Sequence, residues 1–460
     1  GSGWLVTVTA INNAELSASP DSPGPQDPAR RPPPVKQDKC LFQVAISCST
    51  PNGDIVAYPS TSRVIGDAED EELALLYRDN HVFAIGHGAS VRWSTSAQRS
   101  DDGLRATQLR ESAPEALSLD FLADEERSPA DLCDALRRFV SEYEVWRGEL
   151  PSQHEDIPEY LHDARARLLS RIDEAAARMH AGIELLEGDA EVLRAFRLAN
   201  AAMGMQMRHG RSDLAGMRHM LDGNRVIDAD WRGQGFRWYP FQLAFQLLSL
   251  PGIADPGSAD RELVDLIWFP TGGGKTEAYL AVAAATVILR RLRHRDEGGG
   301  TTILTRYTLR LLTTQQFQRA ATLVCALELM RRGDPATFGR DPISIGLWVG
   351  GAVTPNTFQQ AIEQLGALKD KDRPGNPFQL ESCPWCGTEV IPEVLGQDDS
   401  LHGVVAGNDR FTFRCPESRC AFHDEIPVAV VDEEIYARPS TIVIGTVDKF
   451  ARLAWEAKAG

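Results

Sequence analysis

The most specific chemistry in the sequence lies in six residues, Thr271-Gly272-Gly273-Gly274-Lys275-Thr276. An apolar run at 262–269 (ELVDLIWF) leads into them through Pro270, and a long alanine-rich run at 276–293 follows. Consecutive glycines reach backbone conformations closed to other residues and bring main-chain N–H groups close to an anion. A helix starting directly behind them turns its own free N–H groups and positive dipole end the same way. A lysine at the end of such a loop reaches β- and γ-phosphates, and a threonine hydroxyl beside it suits Mg²⁺. ATP and Mg²⁺ are the expected ligands, with Thr271, Gly272, Gly273, Gly274, Lys275 and Thr276 enclosing the phosphates. Lys275 and Thr276 are the candidate catalytic residues, and Thr276 is the candidate Mg²⁺ ligand.

A second constellation has metal-ligand spacing. Cys383-Pro-Trp-Cys386 is a C-x₂-C knuckle, and Cys415 and Cys420 follow as C-x₄-C after 28 intervening residues. Two such pairs fit a tetrahedral site for Zn²⁺, structural because four protein ligands leave no open position. Such a metal organises a segment too poor in apolar residues to fold by itself. His423 is an alternative to Cys420 as the fourth ligand.

The elements that position these groups follow from periodicity. Residues 262–269 read as a buried parallel strand, and 276–293 as a helix with a broad apolar face and arginines at its C-terminal end. Residues 301–320 read as strand, turn and helix, 343–351 as a strand ending in two glycines, and 439–453 as a fourth strand with its helix. Four parallel strands with interleaved helices make an α/β, RecA-like P-loop lobe. The pair Asp432-Glu433 follows a short apolar run and reads as part of an exit strand from the zinc insertion. Upstream, Ser128, Pro129 and Asp131 mark a helix start. Leu132, Leu136, Phe139, Tyr143 and Trp146 continue it at helical spacing, and further helices are expected over 157–187 and 189–208. Met203, Met205 and Met207 read as packing between helices. Residues 40–93 alternate as strands around a Pro-Asn-Gly-Asp turn, with Gly86-His87-Gly88 as a bulge. Residues 17–39 are a Pro- and Ser-rich linker.

The resulting division is a linker-rich stretch at 1–39, a β-rich domain at 40–125, a helical domain at 126–225, and an incomplete lobe at 226–460. The zinc insertion occupies about 375–428 of that lobe. With 43% apolar and 25% charged residues the chain is globular in composition. It has no apolar run long enough to span a membrane and no secretory signal, and its cysteine usage favours a reducing cytoplasm. A net charge of −17 argues against nucleic-acid binding through bulk charge, yet residues 236–332 hold 12 Lys and Arg against 8 Asp and Glu. It is the local field that a phosphate backbone feels.

Phe269 stands where the general P-loop pattern has glycine, and the form PTGGGKT is the variant typical of superfamily 2 helicases and translocases. The segment 236–246 (FRWYPFQLAFQ) resembles the adenine-reading segment of that superfamily, with Gln242 suited to the adenine edge. Residues 301–320 resemble its next motif, in which Arg306, Thr308 and Arg310 contact a nucleic-acid strand through its phosphates. Thr446-Val447-Asp448-Lys449 resembles its T-x-D/E-K turn, with Thr446 touching the backbone and Asp448 capping the next helix. The combination of WFPTGGGKTEAYLA, RYTLRLLTTQQFQRA, SIGLWVGG, the cysteine insertion and FAIGHGASVRW resembles the helicase subunit of DISARM, a bacterial anti-phage defence system. That resemblance implies an ATP-dependent DNA helicase or translocase acting on foreign DNA, single-stranded or at a junction, in complex with a second, DrmB-like DISARM core protein. A nucleotide-gated clamp and a double-strand translocase of remodeller or restriction type are the alternatives. Hydrolysis in this superfamily also needs an acidic Asp-Glu-x-His motif after the Thr446 segment and arginines from a second lobe. Neither is found in the 460 residues, which read as the N-terminal part of a longer protein with ATP turnover near background when isolated.

Overall fold

The computed structural model describes residues 67–78, 83, 115–153, 156–210, 230–268, 273–307, 310–351, 353–369, 376–392, 402–452 and 455. The chain divides into two compact units, residues 1–66 with 76–97, and residues 67–75 with 98–460. Within the stretch 40–93 expected as strands, residues 67–78 and Phe83 are described, and Ala68–Leu76 is a helix, which corrects the strand reading there. The linker at 17–39, the rest of 40–93 and His87 lie outside the described residues. Everything below belongs to the second unit.

After the short helices Ala68–Leu76 and Leu119–Leu122, its helical half is built on α1 (Pro129–Gln153), α2 (His162–Gly188) and α3 (Ala190–His209). Local chemistry marks the starts. The Ser128 hydroxyl accepts from the Asp131 N–H at 3.0 Å, and the Asp189 carboxylate accepts from Glu191 and Val192 N–H at 2.9 and 3.1 Å. Each satisfies donors that a helix start otherwise leaves unpaired. Met203 is fully buried, and Met205 and Met207 pack against the same core. A fourth helix, α4 (Pro240–Ala254), lies across α2. The two approach closely enough that a Cβ at Gly182 would stand 2.2 Å from the Leu247 carbonyl oxygen.

The second half is a parallel sheet with its helices. In chain order come α5 (Lys275–His294), β1 (Ile303–Tyr307), α6 (Arg310–Gly333), β2 (Ile345–Trp348) and α7 (Phe358–Lys369). An antiparallel pair follows, β3 (Val404–Ala406) and β4 (Phe411–Phe413), then β5 (Val428–Ala429), α8 (Asp432–Ala437), β6 (Ile442–Thr446) and α9 (Val447–Arg452). The four-stranded sheet runs β1-β6-β2-β5, parallel throughout. Ile303 pairs with Ile442 and Tyr307 with Thr446. Parallel strands bury both faces, and every residue of β2 and β6 is buried. One hydrophobic core, from Ala116 to Ile444, joins the helices to the sheet.

Two further expectations are corrected. Residues 263–268 form no strand, and Leu263, Val264, Leu266 and Trp268 are exposed, Val264 at 95%. An apolar run of this length reads alike as a buried strand or as an unpaired segment, because burial depends on a neighbour that periodicity does not supply. Among the described residues β1 pairs with β6 alone, and the fourth strand is Val428–Ala429. The stretch around Asp432 and Glu433 is likewise not a strand: both acids open α8.

Candidate functional site

Gly274 caps the N-terminus of the 20-residue α5 in the left-handed region, at φ 83°. A side chain there would be strained by the backbone alone. It would also meet neighbours, since a Cβ would lie 2.8 Å from Gln242 Nε2 and 3.5 Å from the Tyr239 ring. Gln242, on the first turn of α4, is buried and holds this corner. Its Nε2 donates to the Gly274 carbonyl at 2.7 Å, and its Oε1 accepts from the Tyr239 N–H at 2.8 Å. Both ends of the amide thus bind main chain, tying the start of α4 to the start of α5, where the adenine reading expects them turned toward a base. Behind Gln242, Gln246 Nε2 donates to its carbonyl at 3.3 Å, Asn200 Nδ2 donates to Gln246 Oε1 at 3.4 Å, and Trp238 Nε1 donates to Asn200 Oδ1 at 2.7 Å. Satisfied buried amide networks of this kind fix geometry.

Gly273, Gly274, Lys275 and Thr276 are half-buried at the mouth of α5, while Thr271 and Gly272 lie outside the described residues. The Thr276 hydroxyl donates to Gln316 Oε1 on α6 at 2.8 Å, and the Tyr279 hydroxyl stands 3.3 Å from Thr276 Oγ1. Thr276, Tyr279 and Gln316 form the polar end of a cavity of about 410 Å³ whose walls include Leu280, Ile303 and Ile444. Sequence reasoning missed Gln316, because nothing in the spacing says that α6 returns to α5.

Of the remaining predicted residues, Arg306 is exposed on β1 and lines that cavity. Thr308 and the Arg310 side chain lie outside the described residues. Thr446 ends β6 beside Tyr307 of β1, so the segments carrying Arg306 and Thr446 leave the sheet at the same end. Asp448 is in the first turn of α9. Lys449, next to it, is buried in an ion pair with Asp432 and donates to Asn356 Oδ1 at 3.3 Å. Glu433 Oε2 accepts from the Phe358 N–H at 2.8 Å. These acids tie α8 to α9 and to the head of α7.

The four predicted cysteines converge. Cys383, Cys386, Cys415 and Cys420 hold their sulfurs within 4.8 Å of one another. Cys386 and Cys415 are 3.3 Å apart, and Cys383 and Cys420 are 3.9 Å apart. A disulfide requires about 2.05 Å, whereas four sulfurs bound tetrahedrally at about 2.3 Å from zinc lie about 3.8 Å from each other. The cluster therefore fits Zn²⁺. Cys420 supplies the fourth sulfur of the cluster, and His423 stands beside it with Nδ1 donating to the Cys415 carbonyl at 2.8 Å. Burial pushes the Cys383 thiol up, and hydrogen bonds from the neighbouring thiols, Cys383 first, pull Cys386 down.

The knuckle is clamped from two helices. Gln318 Nε2 and Thr322 Oγ1 on α6 donate to the carbonyls of Ser382 and Pro384, at 3.3 and 3.1 Å. His209, at the end of α3, donates from Nδ1 to the Trp385 carbonyl at 2.7 Å and stacks on the Trp385 ring at 3.7 Å.

No family model matches the chain. Over 415 residues, 83% of its length, it is 35% identical to the DISARM protein DrmA of Bacillus paralicheniformis. It spans 36% of that relative's length.

Proposed function

The chain is a DrmA-like DISARM protein over the residues compared, and from that premise we propose that it forms part of an ATP-dependent DNA helicase or translocase directed at foreign DNA. The observation that carries this reading is the corner at Gly274. A left-handed glycine opens α5, its carbonyl is held by Gln242, and Lys275 and Thr276 follow at once. A long helix that starts directly behind glycine favours a phosphate by both hydrogen bonding and dipole. Residues 271–276 would hold the phosphates of ATP, Lys275 by charge and Thr276 through its hydroxyl toward Mg²⁺. ATP bound there supplies a phosphoryl group whose transfer is catalysed mainly by positioning and charge neutralisation.

The nucleic-acid side of the reading rests on the parallel register. Arg306 and Thr446 lie near the same end of neighbouring parallel strands, and Thr308 and Arg310 follow Arg306 in sequence. Donors gathered there suit the repeated phosphates of a DNA strand, which they would hold without reading sequence. The cysteine cluster, remote in sequence from the loop, would hold Zn²⁺ structurally. DISARM membership also supports work within a multi-protein assembly, with a DrmB-like core protein as the proposed partner. Among the described residues no helix is long and apolar enough to cross a membrane, and the proposed setting is the cytoplasm.

ATP hydrolysis by the whole protein, measured without nucleic acid and with single- and double-stranded DNA, tests the proposal. DNA should stimulate turnover, Lys275→Ala should abolish it, and Arg306→Ala should weaken the stimulation. Tight nucleotide binding with no DNA-stimulated turnover would replace the motor with the clamp.

A further inference from the structure

Resting on the phosphate-loop reading above, we propose that Gln316 is a positioning residue for the metal-binding hydroxyl of Thr276. The two residues sit on α5 and α6, 40 positions apart in the chain, and meet at 2.8 Å. A threonine hydroxyl has one proton and two lone pairs. With the proton directed to Gln316 Oε1 and one lone pair facing the Tyr279 hydroxyl, the other lone pair is left for a cation. A hydroxyl bound to a divalent cation becomes a stronger donor and gains from an acceptor aligned in advance, which is how outer residues tune metal ligands. An amide oxygen does this without adding a charge of its own. Tyr279 completes the group, its hydroxyl 3.3 Å from Thr276 Oγ1 and 3.5 Å from Gln316 Oε1.

The helix that presents Gln316 is held on its flanks. Phe317 and Ala320 are buried in the core, and Gln318 and Thr322 fasten the next turns to the cysteine knuckle. Gln316 is therefore delivered to Thr276 from a fixed support, as an acceptor that orients a ligand must be. A bridge that merely joined α5 to α6 would matter equally with and without metal. An acceptor that orients a metal ligand matters only when metal is present.

The test is ADP affinity of the whole protein, measured by calorimetry in Mg²⁺ and again in EDTA. Gln316→Met keeps the length and removes the acceptor. It should cut the gain in affinity that Mg²⁺ confers on the order of tenfold, leaving the affinity in EDTA unchanged, so that the EDTA value also reports an intact fold. Gln316→Glu, which keeps an acceptor oxygen, should retain the gain. In a Thr276→Val background Gln316→Met should add nothing. Equal losses in Mg²⁺ and EDTA, or no loss in either, would overturn the assignment while leaving the phosphate loop standing. A wild-type protein that binds no ADP at all would remove both.

Discussion

Lys449 stands just past the end of β6 with its ammonium group inside the protein, paired with Asp432 and donating to Asn356. Removing one member of a buried ion pair leaves the other charge without compensation, at a cost of about 3 kcal/mol or more. Lys449→Met should therefore lower unfolding free energy by about that amount in urea titrations, and adding Asp432→Asn should recover part of it. A loss as small as that of a surface pair, below about 1 kcal/mol, would contradict the burial described here. In the sequence the stretch 446–449 draws attention to Thr446 and Asp448, while Lys449 carries the tertiary contact. Its partner lies 17 residues earlier and belongs to no recurring local pattern. Gln242 stands out in the sequence through its resemblance to an adenine-reading position; in the structure its Oε1 instead turns back on the Tyr239 N–H at the helix cap. That its other end reaches Gly274 depends on how α4 and α5 pack, which spacing alone leaves open.

Elements that carry their own signal are legible in the sequence, as are the apolar strands β1, β2 and β6; two segments whose state rests on a neighbour are not. The starts of α1 and α3 are written in Ser128-Pro129 and Asp189, residues that bond to their own next turn. The four cysteines are legible for the same reason, since two short spacings determine each half of the cluster. Residues 262–269 show the opposite case, because strand formation requires a second strand. Val428–Ala429, two residues long, is too short to show any period and is a strand only because β2 lies beside it. At this scale the knuckle makes a prediction. It is held by Thr322 and Gln318 of α6 and by His209 of α3, so its metal should stabilise more than its own loop. Metal analysis should find one zinc per chain and less in Cys383→Ser, and chelation should lower the melting temperature and increase proteolysis within 376–428. A zinc-free protein melting at the same temperature would contradict a structural metal.

The whole molecule carries a net charge of −17, with its basic excess placed over residues 236–332, the segment that includes the glycine loop, β1 and most of α6. Of these cations Lys275 and Arg306 adjoin the proposed phosphate contacts, whereas Arg291 and Arg293 stand in the last turn of α5, Arg293 paired with Asp189. It is the local charge of the first two that a polyanion would meet. The acidic stretch at 67–72 is partly consumed within the fold. Glu71 and Glu72 pair with Arg167, and Glu72 also with Arg171. A single core joins the helices to the sheet, so the support of the glycine loop extends from Asn200 on α3 to Gln316 on α6. All of this architecture converges on a few main-chain amides at the start of α5. The most direct test is a calorimetric titration of the purified protein with ADP and Mg²⁺. One nucleotide should bind per chain, with binding lost in Lys275→Ala; an absence of binding heat from the folded wild-type protein across temperatures would contradict the account.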